Sequence, residues 1–207
     1  SLDLNLSAGG PSSPLSSANA PADELTIVGT SANDSLLVDA DEVLFEGTSI
    51  GWGAVERVTV EGGDGNDTFL IRESGTADSI QVLGQGGADD FKIVYPLASG
   101  NLLEVDGGGD SGDELLVTFN SVDDQVDIDA TRIDVASNTT TFYSNFSNLR
   151  VSTRGGNDDV SLKDTHQGHT EILTGGGEDQ VSIEQTSGVL EVNTGRGDDD
   201  VSVQRIG

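Results

Sequence analysis

Seven turns of this chain close on an aspartate, and a carboxylate set on a glycine-bent backbone is chemistry for a hard cation. The closing residues are Asp34, Asp67, Asp89, Asp113, Asp158, Asp179 and Asp199. Asp64 and Asp110 put a second carboxylate inside two of the turns. Glycine lets the chain bend sharply and aim its carbonyls inward. Calcium takes about six to eight oxygens from such carboxylates and carbonyls. The candidate calcium ligands are therefore Asp64, Asp67, Asp89, Asp110, Asp113, Asp158, Asp179 and Asp199. The competing reading is that Asp and Asn only accept hydrogen bonds from the N–H groups of their own turn.

What must position these turns is a phrase that recurs along the chain. Two alternating apolar residues lead into each turn and two more lead out, as in VTVEGGDGNDTFLI (58–71), IQVLGQGGADDFKI (80–93), LRVSTRGGNDDVSL (149–162) and LEVNTGRGDDDVSV (190–203). Successive closing aspartates are separated by 33, 22, 24, 45, 21 and 20 residues. A period near twenty is that of a solenoid whose coils stack. The 45-residue step reads as two coils, one of which has lost its Asp turn, and the 33-residue step as a coil with an insertion. The irregular stretches 36–67 and 126–159 resemble each other, each with a DA-x-x turn between two strands. The chain thus reads as a hairpin-bearing unit plus regular coils, twice, with one Asp turn per coil along one edge.

At Gly62-Gly63-Asp64-Gly65-Asn66-Asp67-Thr68-Phe69-Leu70 the chain resembles the hemolysin-type calcium-binding (RTX) repeat, matching every fixed position of the nonapeptide G-G-x-G-x-D-x-U-x. The turns ending at Asp89, Asp179 and Asp199 match in part, and the pattern is similar to the degenerate version in large secreted bacterial proteins. The resemblance implies a parallel β-roll with calcium between stacked turns. The chain departs from it by carrying one motif per coil, and by Thr153, Thr174 and Thr194 at the first glycine position.

Composition excludes several function classes. With 37 acidic against 9 basic residues the net charge is −28, so nucleic acid and anionic membrane surfaces are repelled. No segment is long and apolar enough for membrane insertion. There is no Cys, and 28 glycines accompany thin, alternating Val, Ile and Leu rather than a broad core. His166 and His169 sit in an outer turn without a third metal ligand in sequence, which favours a solvated loop. Adjacent acidic pairs such as Asp89/Asp90 point to opposite faces of a strand and make no acid–base couple. Arg154 and Arg196 within Asp turns leave a polysaccharide lyase as the weakest reading. The chain is not expected to be an enzyme.

The chain starts at Ser1 with no Met and no apolar secretion segment, which reads as a mature or trimmed protein. Residues 1–23 read as a short alternating strand (Leu2, Leu4, Leu6) and a Ser/Pro/Ala-rich linker. The strand would lie on the body of the protein or add to a neighbour's edge. The last coil has nothing to cover it, and an open edge strand templates pairing. Inward positions run from Val58 to Val201 and Val203. Trp52 and the Phe142/Tyr143/Phe146 group read as covering side chains, with a sugar-binding shelf as the alternative.

The expected protein is an all-β parallel β-solenoid (β-helix or β-roll-like) of about 20–24 residues per coil with two hairpin-like insertions. Residues 1–23 form the terminal segment and 24–207 the solenoid, made of arrays 24–117 and 118–207. The expected function is a secreted, cell-surface structural protein, stabilised by calcium. It would polymerise by head-to-tail stacking or N-terminal strand addition, and extracellular polysaccharide is a further partner. A glycan- or surface-binding adhesion module is the alternative.

Overall fold

The computed structural model describes residues 3–7, 22–53, 55–72, 75–97, 102–136 and 139–204. The described residues are all-β, with no helix. Strands β1 (Asp3–Ser7) and β2 (Glu24–Val28) open the chain, and a meander of β3 (Ser35–Asp39), β4 (Glu42–Phe45) and β5 (Thr48–Gly51) follows. The next six are β6 (Arg57–Asp64), β7 (Thr68–Ile71), β8 (Ser79–Gly86), β9 (Asp90–Val94), β10 (Leu102–Asp106) and β11 (Glu114–Thr118). A second meander comprises β12 (Gln125–Asp129), β13 (Arg132–Val135) and β14 (Thr139–Ser144). The chain finishes with β15 (Asn148–Ser152), β16 (Asp159–Leu162), β17 (His169–Leu173), β18 (Gln180–Ile183), β19 (Val189–Asn193) and β20 (Asp200–Val203).

These strands make two sheets. The larger has eleven in the order β1-β2-β6-β8-β10-β14-β13-β12-β16-β18-β20, and the smaller nine in the order β19-β17-β15-β11-β9-β7-β3-β4-β5. From β2 onward and outside the meanders, successive strands alternate between the sheets. Only β1 and β13 run against the others in the larger sheet, and only β4 in the smaller. All other pairings are parallel.

Alternation explains why these segments are strands. Along β8 Ile80, Val82 and Gly84 are buried, and along β9 so are Phe91 and Ile93. One face of each strand supplies the narrow Val/Ile/Leu core and the other carries charge to water. Three phenylalanines meet in the core where the two halves join. Phe69 stacks on Phe91 with centroids 4.3 Å apart, and Phe146 meets Phe91 edge-on at 5.1 Å.

One expectation about the core fails, and so does the shelf raised as the alternative for the meander aromatics. Val201 and Val203 continue the inward pattern on β20, but among the described residues no further strand covers them and they are 45% and 51% exposed. The aromatic residues of the meanders make no shelf, since Trp52, Tyr143 and Phe146 are buried. Only Phe142 of that group reaches the surface. The strand expected at Leu2–Leu6 is β1, paired antiparallel with β2. The linker that was expected after it falls largely outside the described residues.

Candidate functional site

The closing aspartates stand in two columns rather than one. Asp34, Asp67, Asp89 and Asp113 each follow a strand of the larger sheet and precede one of the smaller (β2/β3, β6/β7, β8/β9, β10/β11). Asp158, Asp179 and Asp199 follow β15, β17 and β19 of the smaller sheet and precede β16, β18 and β20 of the larger. Because the strands flanking these turns run one way in each sheet, the two sets lie at opposite strand ends. This corrects the expectation of a single acidic edge.

The coil expected to have lost its Asp turn has kept it. Asp124, between β11 and β12, is the first rung of the second column: its N–H donates to Asp158 Oδ1 at 2.9 Å. The turn before it, Asn120-Ser121-Val122-Asp123, contains no glycine, so a glycine-based reading passes over it. Spacing was the usable signal. Asp124 precedes Asp158 by 34 residues, as Asp34 precedes Asp67 by 33.

Each rung is tied to the next by one bond. The N–H of Asp34 donates to Asp67 Oδ1 (2.8 Å), Asp67 to Asp89 (2.8 Å) and Asp89 to Asp113 (3.0 Å). In the second column Asp158 donates to Asp179 (3.0 Å) and Asp179 to Asp199 (3.1 Å). A second ladder of side chains runs beside each column in the opposite sense. Asn66 N–H donates to Asn33 Oδ1 and Ala88 N–H to Asn66 Oδ1; Asn157 N–H donates to Asp123 Oδ1 and Glu178 N–H to Asn157 Oδ1. The carboxylates therefore do accept backbone N–H groups, those of neighbouring turns along the columns and, at Asp34, also that of Thr30 in its own turn (2.5 Å). They replace the sheet ladder where the chain turns a corner, which buried N–H groups require.

The second oxygen of each inner carboxylate faces the interior. Oδ2 of Asp67, Asp89, Asp113, Asp124 and Asp179 is buried without a hydrogen-bond partner. In the first column it lies over a glycine. A Cβ on Gly62 would come within 2.2 Å of Asp67 Oδ2, and one on Gly84 within 2.2 Å of Asp89 Oδ2. The second column uses threonine there. Thr153 Oγ1 donates to Asp158 Oδ2, and Thr174 Oγ1 to the carbonyl of Thr194 at 3.1 Å.

Burial dominates the electrostatics. It pushes Asp89 up to about 6, against the backbone N–H of Asp67 and with the added repulsion of Asp67, Asp113 and Asp110. Asp124 is pushed to about 6 by burial and then by Asp158 and Asp123. Burial raises Asp67, Asp113 and Asp158 as well. Neutralising a buried carboxyl is the ordinary escape from an unpaired charge in a low-dielectric interior.

Calcium does not fit the inner columns. At Asp67 and Asp89 one oxygen is occupied by an N–H and the other is enclosed against a glycine; at Asp158 one accepts the Asp124 N–H and the other the Thr153 hydroxyl. No shell of about six to eight oxygens can form there. Asp64 and Asp110 differ, being exposed. Their Oδ1 and Oδ2 lie 3.3 and 4.0 Å from the place a Gly86 Cβ would take, with the Gly63 carbonyl also at 4.0 Å. Asp110 Oδ2 accepts the Gly87 N–H at 2.9 Å. Among the described residues no group of three or more His, Cys, Asp or Glu side chains is gathered to hold a metal ion.

The remaining candidates are dispersed. His166 packs edge-on to Tyr143 at 6.1 Å, with burial lowering its pKa, whereas His169 begins β17 near Glu191. Arg154 and Arg196 both belong to turns of the second column, where Arg196 bridges Gly176. No family model matches the chain, nor does any curated protein or solved structure.

Proposed function

We propose that the two sheets are the faces of a parallel β-solenoid, and that this solenoid is a secreted structural element that assembles into a filament, fibre or surface layer. The observation that carries this reading is the pair of aspartate columns. The residues that looked most chemical in the sequence are spent on tying each turn to its neighbour. An element built this way is stiff along its axis and repeats along it, which is what a load-bearing assembly needs. The surplus of acidic residues, −28 in net charge, keeps its flanks soluble and confines attraction to its ends.

Calcium enters the proposal only at the outer acidic row. Asp64 and Asp110, with the Gly63 carbonyl, offer open oxygens to which water must add the rest. Weak affinity of about 10⁻⁴ to 10⁻³ M suits an extracellular setting.

Sizing the purified chain in calcium and again in chelator, with electron microscopy of both, tests the reading. Regular polymers in calcium support it. A particle that stays monomeric at every concentration in both buffers overturns it.

The second reading is an adhesion module that holds extracellular polysaccharide. What favours it is Phe142, 39% exposed on the outer face of the larger sheet, with Leu102 at 41% on the neighbouring strand β10. It predicts a monomer whose glycan retention falls on Phe142→Ala.

A further inference from the structure

The second aspartate column begins without a cap. Each later rung takes the N–H of the rung before it: Asp158 that of Asp124, Asp179 that of Asp158 and Asp199 that of Asp179. Asp124 has no rung before it. Strand β11, which leads to it, is neighboured on that side by β9, and β9 leaves through Tyr95-Pro96 rather than through an Asp turn. The first column meets the same situation at Asp34 and resolves it locally. There the N–H of Thr30 donates to Asp34 Oδ2 at 2.5 Å and its hydroxyl at 3.0 Å. Asn120 stands at the corresponding place, four residues before Asp124. Among the described residues neither Asn120 nor any other donor bonds the Asp124 carboxylate, and its Oδ2 is buried. A buried oxygen left in this state costs free energy that a bound donor recovers.

A cavity of about 240 Å³ opens at that place. Tyr95, Phe119, Val122 and Val135 give it apolar walls, and Asp123 and Asp124 line it as well. The Tyr95 hydroxyl is already bonded to Thr141 Oγ1 at 2.6 Å, and Asp123 Oδ1 accepts the Asn157 N–H at 2.7 Å. Asp124 is the carboxylate left open. Val122 is 54% exposed, apolar surface that an occupant would cover.

We propose that this cavity binds a small organic ammonium ion, whose N–H groups donate to Asp124 while its apolar body lies against Tyr95, Phe119 and Val122. The ligand supplies the donor that a preceding rung would have supplied. Its charge matches an unpaired carboxylate on a chain of net charge −28, whose field concentrates cations. A calcium ion suits the place poorly, since it takes about six to eight oxygens and most of the wall is apolar. The volume lies below the roughly 300 Å³ at which drug-sized sites begin, so the ligand is of about the size of benzylamine.

Benzylammonium is the probe, titrated into the whole chain at about pH 8, where Asp124 is ionised. Binding is read by calorimetry and by amide shifts in two-dimensional NMR. Saturable binding is expected, with the shifts centred on Phe119, Val122 and Val135. Benzyl alcohol keeps the shape and loses the charge, and is expected to bind about tenfold more weakly. Asp124→Asn should weaken benzylammonium by about the same factor. Asp198→Asn removes an equal charge from the last Asp turn and should bind as the wild-type chain does. Ala136 lines the cavity and is exposed, so Ala136→Phe should close the site with Asp124 intact. That variant decides the matter if Asp124→Asn folds poorly. Butylammonium, the tip of a lysine side chain, is expected to bind more weakly than benzylammonium because it covers less apolar wall. The reverse order would assign the cavity to a partner's lysine and overturn a free ligand. No saturable binding, shifts away from Val122, equal affinity for the alcohol, or unchanged affinity in Asp124→Asn or Ala136→Phe would overturn the site itself.

Discussion

The backbone N–H of Asp67 donates to Oδ1 of Asp89 at 2.8 Å, across two turns 22 residues apart in sequence. The same bond joins Asp158 to Asp179 at the opposite strand ends, at 3.0 Å. Each carboxylate is thus the acceptor for the turn on one side, while its own N–H is bound by the turn on the other. A break at one rung leaves a buried donor, and the second oxygen of Asp67, Asp89, Asp113 and Asp124 is buried without a partner.

Acceptor and charge can be separated at Asp89. Asp89→Asn keeps an acceptor for the Asp67 N–H and removes the charge, whereas Asp89→Ala leaves that N–H unsatisfied. The alanine variant is expected to lie about 1–3 kcal/mol below the asparagine variant in urea unfolding. Equal midpoints would show that the column bonds do not hold the turns together.

Stability should fall as pH rises through the acid range. Asp89 and Asp124 sit at about 6 in the folded chain against 3.8 when exposed, so the folded state binds more protons in between. Their contribution is complete below 3.8, is lost as pH rises through about 6, and is level above that. Self-repulsion of the acidic surface acts in the same direction. The variant carrying both Asp89→Asn and Asp124→Asn should therefore show a shallower decline in melting temperature between about pH 4 and 7. An unchanged slope would assign the effect to the surface alone.

Two glycines of the first unit should respond differently to alanine. A Cβ on Gly62 meets Asp67 Oδ2 at 2.2 Å and Phe69 Cζ at 2.9 Å, while one on Gly53 meets nothing within 4 Å. Gly62→Ala is expected to cost about 1–3 kcal/mol, the usual range for overpacking. Gly53→Ala should be close to neutral. Thermal melts of the two variants side by side check the contrast.

Calcium should act on the outer row and spare the columns. Millimolar calcium is expected to raise the melting temperature of the wild-type chain, and Asp64→Asn with Asp110→Asn to abolish the rise. Asp179→Asn should leave the calcium response intact, because that carboxylate is buried. A response lost with Asp179→Asn and kept without Asp64 and Asp110 would return the ion to the columns.

Much of the strand layout was legible because period-two alternation is a local property. Val58, Phe69, Val82 and Ile93 face inward as their neighbours in sequence require. The resemblance of 36–67 to 126–159 likewise anticipates two meanders, since the same short turns and strands recur. Asp124 was not legible from its turn, whose residues lack glycine. Nor was the burial of the closing aspartates, because a Gly-Asp turn looks the same whether its carboxylate points out to an ion or in over a glycine. Residues 201 and 203 read as core by pattern, yet burial needs a covering strand, which a pattern cannot supply.

The sequence by itself determined that strands alternate with aspartate turns and that these turns recur, since side-chain alternation and turn residues act over a few positions. Only the tertiary structure decided which way the carboxylates face and that the turns divide between two ends. The second meander places three strands in the larger sheet between β10 and β16, and the chain between β11 and β12 turns at the other strand ends. From Asp124 onward every aspartate turn leads from the smaller sheet to the larger. That exchange is set by which strands pair, over separations of 30 residues and more, as between Leu102 and Thr140.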